Sequence, residues 1–360
     1  MELSGIALAQ GFWEQVVGPL LARRWPGLPV VAGRFGTGSD VLGLDDATSR
    51  DHDWGLRLSL LLDDGNPGTG NGGGDRVAEI DAHLQAALPR TWNGFPIRFP
   101  VTGDPREHHR VEVATVRGFA SARLGLDPGE PWDSLDWLSV TGQSVLEVTA
   151  GPVFIGPSQT PGAFELLRRR LARYPDDVEL VVVAAAWAQL AEELPLLGRT
   201  ADSGDEVGSR IITARLARVA VHLGFVLEQR WSPYPKWAGS VFAGLPAAGA
   251  AAPGLRRALT GGTWREREAG LAEALGVLHA VQAGRGLPVA PRAVEPFFAR
   301  PYLGVPDAAV DLLRAGVVDP VLRALPRGVG AVEQWVDAVD VLVDPLRRRA
   351  LVDAWRSPRP

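Results

Sequence analysis

A glycine–serine turn followed by two closely spaced aspartates constrains this chain more than any other stretch. Gly38 and Ser39 lie in a small, polar segment. After a spacer of eleven residues, Asp51 and Asp53 precede an apolar run from Leu56 to Leu62. The run is typical of a β-strand, and side chains two residues apart on a strand share one face. The two carboxylates are therefore expected to converge on one point, near a turn whose backbone N–H groups can bind phosphate oxygens.

Carboxylates in this arrangement suit a hard divalent cation. Mg²⁺ takes oxygen ligands at about 2.0–2.1 Å and commonly keeps substrate phosphates in its coordination shell. The alternative is that the two aspartates are solvated or cap the start of the strand, since acidic pairs near turns are common. Asp40, Asp45 and Asp46 crowd the same loop, where they are either ordinary loop acids or side chains that hold the turn or Arg50 in place.

Two longer strings around these residues resemble a known family. They are Gly38-Ser39-Asp40-Val41-Leu42-Gly43-Leu44-Asp45 and Ser49-Arg50-Asp51-His52-Asp53-Trp54-Gly55. The Gly-Ser turn with its two aspartates is similar to the signature of the nucleotidyltransferase superfamily related to DNA polymerase beta. The longer strings resemble the DUF4037 branch, as does Gly330 to Asp337. Thr37 and His52 replace apolar residues of the general pattern, although His52 belongs to the branch's Asp-His-Asp-Trp form.

The resemblance implies a fold and a chemistry. The fold would be α+β, a nucleotidyltransferase-type mixed sheet with flanking helices followed by an all-helical domain. The reaction would transfer a nucleoside monophosphate from a nucleoside triphosphate to an acceptor and release pyrophosphate. Asp51 and Asp53 would hold two Mg²⁺ ions, which clamp the attacking and leaving oxygens in such sites. Gly38 and Ser39 would bind the β- and γ-phosphates.

A third carboxylate on a neighbouring strand belongs to the superfamily pattern, and Glu112 is the residue that matches it. Glu112 lies between two valines in a predicted strand, Arg110 to Val116, so it points away from the face that they cover. It would be a catalytic residue and metal ligand, although a solvent-facing strand glutamate would look the same. Glu147 is the competing third acid, in a segment from Asp136 to Gly151 that is more typical of a helix.

Two further groups have a functional and a plain interpretation. Lys236 is the single lysine in a sequence that has 36 arginines. A compact ammonium suits the triphosphate, and some antibiotic nucleotidyltransferases place a lysine in a similar helical domain; the alternative is a chance surface residue. His108 and His109 close a polar segment that begins at Thr102, which we expect to be an exposed turn. A metal-binding histidine pair is the alternative there.

The composition limits the class of protein. The 360 residues have a formal net charge of −5, so a nucleic-acid partner is not favoured. The chain has no cysteine, which excludes disulfides, thiolate catalysis and cysteine-bound zinc and fits a cytoplasmic protein. We expect no signal peptide. The run from Val178 to Leu194 is too short and too charged for a membrane span, so we expect a buried helix and no membrane partner.

The length and the periodicity predict two domains. Helical spacing of apolar residues predicts a helix from Ile6 to Arg24 and, beyond the middle of the chain, an almost wholly helical pattern. Strands are expected in the first half, at Leu28–Phe35, Leu56–Leu62, Phe95–Val101 and Arg110–Val116. We therefore expect a nucleotidyltransferase-like α/β domain at 1–155 and a helical C-terminal domain at 156–360, divided in a Gly/Pro-rich stretch.

These inferences lead to one functional hypothesis and two alternatives. The hypothesis is a Mg²⁺-dependent nucleotidyltransferase that uses a nucleoside triphosphate, ATP as the first candidate, and modifies a small-molecule acceptor. One alternative is a nucleotidyltransferase that modifies a protein or tRNA, for which a strongly basic face would be expected. The other is a nucleotide-binding regulator without turnover, which the loss of an acidic ligand would mark.

Overall fold

Two compact units make up the described part of the chain. The computed structural model describes residues 4–45, 55–63, 73–101, 104–155 and 162–356. The first unit comprises Met1–Pro131 with Ser144–Leu171, and the second comprises Trp132–Gln143 with Ala172–Pro360. The architecture is mixed α+β, as expected. The division into domains at 1–155 and 156–360 stays a prediction.

The first unit opens with one nearly continuous helical segment. Helix α1 (Gly5–Phe12) runs through a π-helical turn (Trp13–Val17) into α2 (Gly18–Arg24). The Ser4 hydroxyl accepts a hydrogen bond from the Ala7 N–H and so caps the N-terminus of the helix. The helix predicted from its apolar spacing is therefore confirmed.

A five-stranded mixed sheet forms the centre of this unit. Its strands are β1 (Val30–Gly33), β2 (Arg57–Leu62), β5 (Arg98–Val101), β6 (Asp104–Thr115) and β7 (Val153–Ile155). Their order across the sheet is β5-β6-β2-β1-β7. Strand β2 pairs with β1 in antiparallel and with β6 in parallel orientation, and the two outer pairs are antiparallel.

Strand β6 is longer than the sequence pattern indicates. Its Asp104 pairs with Val101, and His108 and His109 pair with Phe99 and Arg98. The expectation of an exposed turn up to His109 was therefore wrong for the residues from Asp104 onward. The sequence analysis did not recognise the strand because its side chains in this part are polar. Strands β5 and β6 pair at the edge of the sheet, where one strand face does not need to be apolar.

The core of the first unit lies between this sheet and its helices. Strand β2 is buried at nearly every position, as expected of a central strand with both faces covered. Its leucines pack with the apolar residues of the N-terminal helical segment and of α3 (Gly73–Ala87). The remaining elements of the unit are the β3–β4 hairpin (Thr91–Trp92, Phe95–Pro96), α4 (Val116–Leu124), most of α6 (Gly142–Thr149) and α7 (Ala163–Arg170).

The described part of the second unit is helical apart from one short ribbon, β8 (Glu295–Pro296) with β9 (Leu303–Gly304). Its two longest helices, α8 (Asp176–Asp202) and α9 (Glu206–Leu227), pack against each other. The others are α5 (Ser134–Ser139), α10 (Pro235–Ala243), α11 (Ala252–Thr260), α12 (Trp264–Gly284), α13 (Ala308–Ala315), α14 (Pro320–Ala324), α15 (Val332–Trp335), α16 (Val339–Leu342) and α17 (Pro345–Asp353).

Helix α8 is long and apolar enough to cross a membrane by length and composition. Most of its apolar window is buried inside the protein, which is typical of the core helix of a soluble domain. The buried helix predicted from the run at Val178 is therefore confirmed, but the expectation that this run is too short for a membrane span is wrong, because the helix continues to Asp202.

Candidate active site

A buried arginine organises the turn that follows β1. The Arg34 guanidinium donates to both carboxylate oxygens of Asp40, over 2.7 and 2.9 Å. It also donates to the carbonyl oxygens of Phe35 and Thr37, over 2.5 and 2.7 Å. Both side chains of the ion pair are almost fully buried. Such a paired guanidinium and carboxylate fix geometry strongly, so Asp40 holds the turn, one of the two roles considered for it.

The turn needs glycine at two positions. Gly36 and Gly38 have φ angles of 84° and 134°. A Cβ atom on Gly38 would lie 2.2 Å from Asp40 Oδ1 and 2.6 Å from Arg34 Nη2. The Gly36 N–H donates to the Glu147 carbonyl oxygen over 2.8 Å. The turn is therefore rigid and closely packed against its own ion pair.

Ser39 starts a short 3-10 turn, and its carbonyl oxygen accepts hydrogen bonds from the N–H groups of Leu42 and Leu44. Asp45, another acid of this loop, accepts a hydrogen bond from the Gly5 N–H at the start of α1 over 2.8 Å. The loop is thus tied to the N-terminal helix. The phosphate-binding role of Gly38 and Ser39 stays a prediction.

The two candidates for the third acid contact the same arginine. Arg123 Nη2 donates to both carboxylate oxygens of Glu112, over 3.0 and 2.8 Å. Arg123 Nε lies 3.8 Å from Glu147 Oε2. The guanidinium carbon also stacks 3.6 Å from the centre of the Phe119 ring. Glu112 and Glu147 therefore belong to one charged cluster around Arg123.

Glu112 has the strand position that the resemblance implies. It lies on β6, opposite Ser59 of the neighbouring strand β2. Val111, the residue before it, is buried in the core of the sheet, whereas the Glu112 side chain is 43% exposed. The alternation predicted from the sequence is confirmed. Glu147 lies on α6, so the expectation that it is helical also holds, although the segment is divided into two helices, α5 and α6.

A cavity of about 350 Å³ opens beside this cluster. The turn after β1 forms one part of its wall, and the first residues of β2 and the middle of β6 form another. Its titratable lining residues are Arg34, Arg57, Asp81, His108, His109, Arg110, Glu112 and Arg123. The lining thus combines arginines with carboxylates, so it offers groups for both anions and cations.

Asp51 and Asp53, the predicted metal ligands, lie outside the described residues. The described chain resumes at Gly55, directly before β2, whose residues from Arg57 to Ser59 line the cavity. Of the predicted site residues in the described ranges, Gly38, Ser39 and Glu112 all belong to the first unit.

Lys236 belongs to the second unit. It is exposed in the first turn of α10, and its Nζ lies 4.9 Å from the centre of the Trp237 ring. The cation–π contact is consistent with a plain surface residue as well as with a phosphate ligand. Its role stays a prediction.

Asp81 of α3 brings the two histidines of β6 into a cluster. His109 Nε2 lies 3.5 Å from one Asp81 carboxylate oxygen, and His108 Nε2 lies 3.8 Å from the other. The His109 side chain is fully buried. Burial lowers the pKa of His109, against the opposing charge of the Asp81 carboxylate, and so favours the neutral imidazole. The exposed histidine pair expected from the sequence is thus half buried, on a strand.

Sequence analysis missed the three side chains that organise this region. Arg34 and Arg123 have no distinguishing mark among 36 arginines. The signal for Arg34 is local: it directly precedes the turn, six residues before Asp40. Asp81 is 27 residues from His108 and joins the histidines only through the packing of α3 on β6.

The comparisons with known proteins give one match. Residues 137–238 match the family model described as domain of unknown function DUF4037. The match includes Glu147 and Lys236, and it supports the DUF4037 part of the resemblance. No curated protein and no solved structure matches the chain.

Proposed function

We propose that this protein is a Mg²⁺-dependent nucleotidyltransferase that transfers a nucleoside monophosphate to a small-molecule acceptor. One observation carries the proposal. Glu112 lies on the strand next to β2, beside a cavity walled by a glycine turn, and the Asp51–Asp53 pair directly precedes β2 in the chain. A nucleotidyltransferase-type fold, which the mixed sheet is compatible with, is part of the same proposal.

The donor set fits magnesium. Asp51, Asp53 and Glu112 offer only carboxylate oxygens, the ligands that this hard cation prefers. Mg²⁺ held by them would neutralise the triphosphate and orient its reacting phosphorus. Glu147 remains the alternative third acid, because it reaches the same arginine as Glu112.

The chain's own residues would bind and align the substrates. Arg57 and Arg123 place positive charge on the cavity wall, where phosphate oxygens can be neutralised. The Arg34–Asp40 pair fixes the turn, so that Gly38 and Ser39 meet the β- and γ-phosphates without reorganisation. Glu112 is exposed enough to exchange Arg123 for a new partner, and as a base it would accept the acceptor's proton.

Thermal unfolding tests nucleotide binding directly. Each nucleoside triphosphate would be added with and without Mg²⁺ to wild type and to the Asp51→Asn/Asp53→Asn double variant. A ligand at a hundred times its dissociation constant stabilises the folded state by about 2.7 kcal/mol. We expect a Mg²⁺-dependent increase in Tm for at least one nucleotide, lost in the double variant.

Matched variants define what each outcome means. Asp340→Asn, an exposed acid on α16, controls for charge removal and should keep the full shift. Lys236→Ala tests the predicted phosphate contact, and Lys236→Arg tests whether a point charge is needed. Folded wild type with no shift for any nucleotide would contradict the proposal. A shift without pyrophosphate release in an acceptor screen would favour the non-catalytic regulator.

A further inference from the structure

The cluster of Asp81, His108 and His109 offers three metal-ligating groups to one point. Each residue supplies one ligand atom, and these atoms lie within 4.8 Å of one another. We propose that the cluster binds a divalent transition-metal ion of the kind that imidazole prefers, with Zn²⁺ as its representative. Its three residues differ from those proposed to hold Mg²⁺.

The tautomer of His108 favours this assignment. His108 Nδ1 lies 2.9 Å from the carbonyl oxygen of His109. A carbonyl only accepts, so Nδ1 carries the proton and Nε2 carries the lone pair. That lone pair lies 3.8 Å from an Asp81 carboxylate oxygen, which is also an acceptor. Two acceptors repel unless a cation lies between them. Metal-bound histidines typically bind a backbone carbonyl through the other ring nitrogen in this way.

His109 Nε2 makes only long polar contacts among the described residues. It lies 3.4 Å from the Asp81 carbonyl oxygen and 3.5 Å from the Asp81 carboxylate, both long for a hydrogen bond. Buried polar atoms usually have a closer partner. A metal ion bound to Nε2 would replace these two contacts with one short bond.

The spacing requires a modest movement. Ligands of a tetrahedral zinc ion, at about 2.0–2.1 Å from the metal, are about 3.3 Å from one another. The three ligand atoms, one from each residue, lie within 4.8 Å of one another, so the ion would draw them together by about 1.5 Å at most. The side chains of Asp81 and His108 are 42% and 38% exposed, so an ion can enter from solvent and keep a water or substrate in a fourth position.

The ligand chemistry separates this ion from magnesium. Two imidazole nitrogens and one carboxylate suit zinc and its first-row neighbours, whereas Mg²⁺ takes oxygen ligands. The cluster lines the same cavity as Glu112. An ion there would add positive charge to the wall that the nucleotide is proposed to contact.

Calorimetric titration with Zn²⁺ tests the proposal. The full chain, freed of any purification tag and stripped with a chelator, would be titrated without nucleotide. We expect one ion per chain in wild type. Affinity should fall at least about tenfold in Asp81→Asn and in His108→Ala, since each removes one of three ligands. Both side chains are partly exposed, so their replacement should leave the fold intact; circular dichroism checks this.

Two control variants test whether the loss of Zn²⁺ binding is specific to Asp81 and His108. Glu79→Gln removes a carboxylate two residues from Asp81 on α3, where it pairs with Arg76, and should leave Zn²⁺ affinity unchanged. Asp51→Asn/Asp53→Asn should also bind Zn²⁺ as wild type does, whether or not it has lost nucleotide binding. Unchanged affinity in Asp81→Asn and His108→Ala, or no binding by wild type, would overturn the proposal. Loss of binding only in the Asp51/Asp53 variant would overturn it too.

Discussion

The Arg34–Asp40 ion pair shows how one residue sets the shape of the candidate site. Both partners are almost fully buried, and the guanidinium also holds two carbonyl oxygens of the turn. The rigidity of the turn therefore depends on a charge that water cannot screen. Removing either partner would leave the other buried and unpaired, which is much more costly than losing an exposed ion pair.

Replacing Asp40 with Asn should destabilise the protein strongly. The substitution keeps the shape but leaves the Arg34 guanidinium without its counter-charge, so we expect a loss of about 3 kcal/mol or more in the free energy of unfolding. Urea denaturation measures this.

Glu165→Gln is the matched control, because it breaks the exposed Glu165–Arg169 pair and should cost less than about 1 kcal/mol. Equal losses in the two variants would contradict the role given to burial.

At the scale of elements, two glycines allow helices α11 and α12 to approach closely. A Cβ atom on Gly270 would lie 2.5 Å from the Ala258 nitrogen and 2.7 Å from the Gly254 oxygen. These are backbone atoms, so no side chain can move aside. Gly276 lies on the same helix, and a Cβ atom there would meet nothing within 4 Å.

Gly270→Ala and Gly276→Ala should therefore change stability in opposite directions. The first overpacks the helix contact and should destabilise the protein by about 1–3 kcal/mol. The second replaces an open helical glycine and should stabilise it by about 0.5–1 kcal/mol. The urea midpoint gives both values if the slope m is unchanged. A stabilising Gly270→Ala would show that the two helices do not pack this closely.

Glu268 of α12 gives a pH dependence with a definite sign. It is buried and accepts a hydrogen bond from the Leu303 N–H over 2.8 Å. Burial raises the pKa of its carboxyl, against the opposing effects of that hydrogen bond and of Arg265. The folded state then binds its proton more tightly than the unfolded state does, so the stability contributed at low pH is lost as pH rises from about 4 through the raised pKa.

Glu268→Gln removes this titration and keeps an acceptor for Leu303. Relative to the variant, wild type should lose stability as pH rises from about 4 through the raised pKa, with no further change above it. Chemical denaturation of both proteins across the range measures the difference. A difference that is constant with pH would contradict the raised pKa.

The elements that could be predicted from the sequence have strong local patterns. The leucines of β2 and the apolar stripe of α9 identify a buried strand and an amphipathic helix without reference to the rest of the chain. Strand β7 was missed, because Val153 to Ile155 lies in a stretch that its glycines and prolines mark as a boundary. Its identity as a strand depends on pairing with β1, which is distant in sequence.

Part of the candidate site could also be predicted, because some of its residues lie in strong local sequence patterns. The turn at Gly38 and the alternation around Glu112 are local signals, and the structure gives both residues the expected kind of element. Arg123 and Asp81 act through tertiary contacts, to Glu112 and to the histidines, that no spacing in the sequence encodes. The sequence does not encode the contact of Lys236 either, because its predicted partner is the bound nucleotide and not another residue of the chain.

At the scale of the whole molecule, the net charge affects how strongly the protein is expected to bind nucleic acid. The chain has 37 basic and 42 acidic side chains, and many of its arginines are already paired with carboxylates. Non-specific binding to nucleic acid depends on unneutralised basic residues that displace counterions from phosphates. An acidic protein with paired arginines should bind such polymers weakly.

We therefore expect no mobility shift of a short mixed-sequence DNA duplex, or of bulk tRNA, at physiological salt. A basic DNA-binding domain run in parallel shows that the assay detects binding. Retention that weakens steeply with added salt would reveal a basic face and favour the alternative in which the acceptor is tRNA.

The exposed position of Lys236 has a practical consequence for chemical labelling. It is the one lysine among 37 basic residues, so an amine-directed reagent has a single side-chain target besides the α-amino group. A fluorophore attached there would lie beside the Trp237 indole, at the start of a helix that belongs to the second unit. Lys236 thus gives this sequence its own site for a spectroscopic reporter, and cleavage after lysine would cut it once, between Lys236 and Trp237.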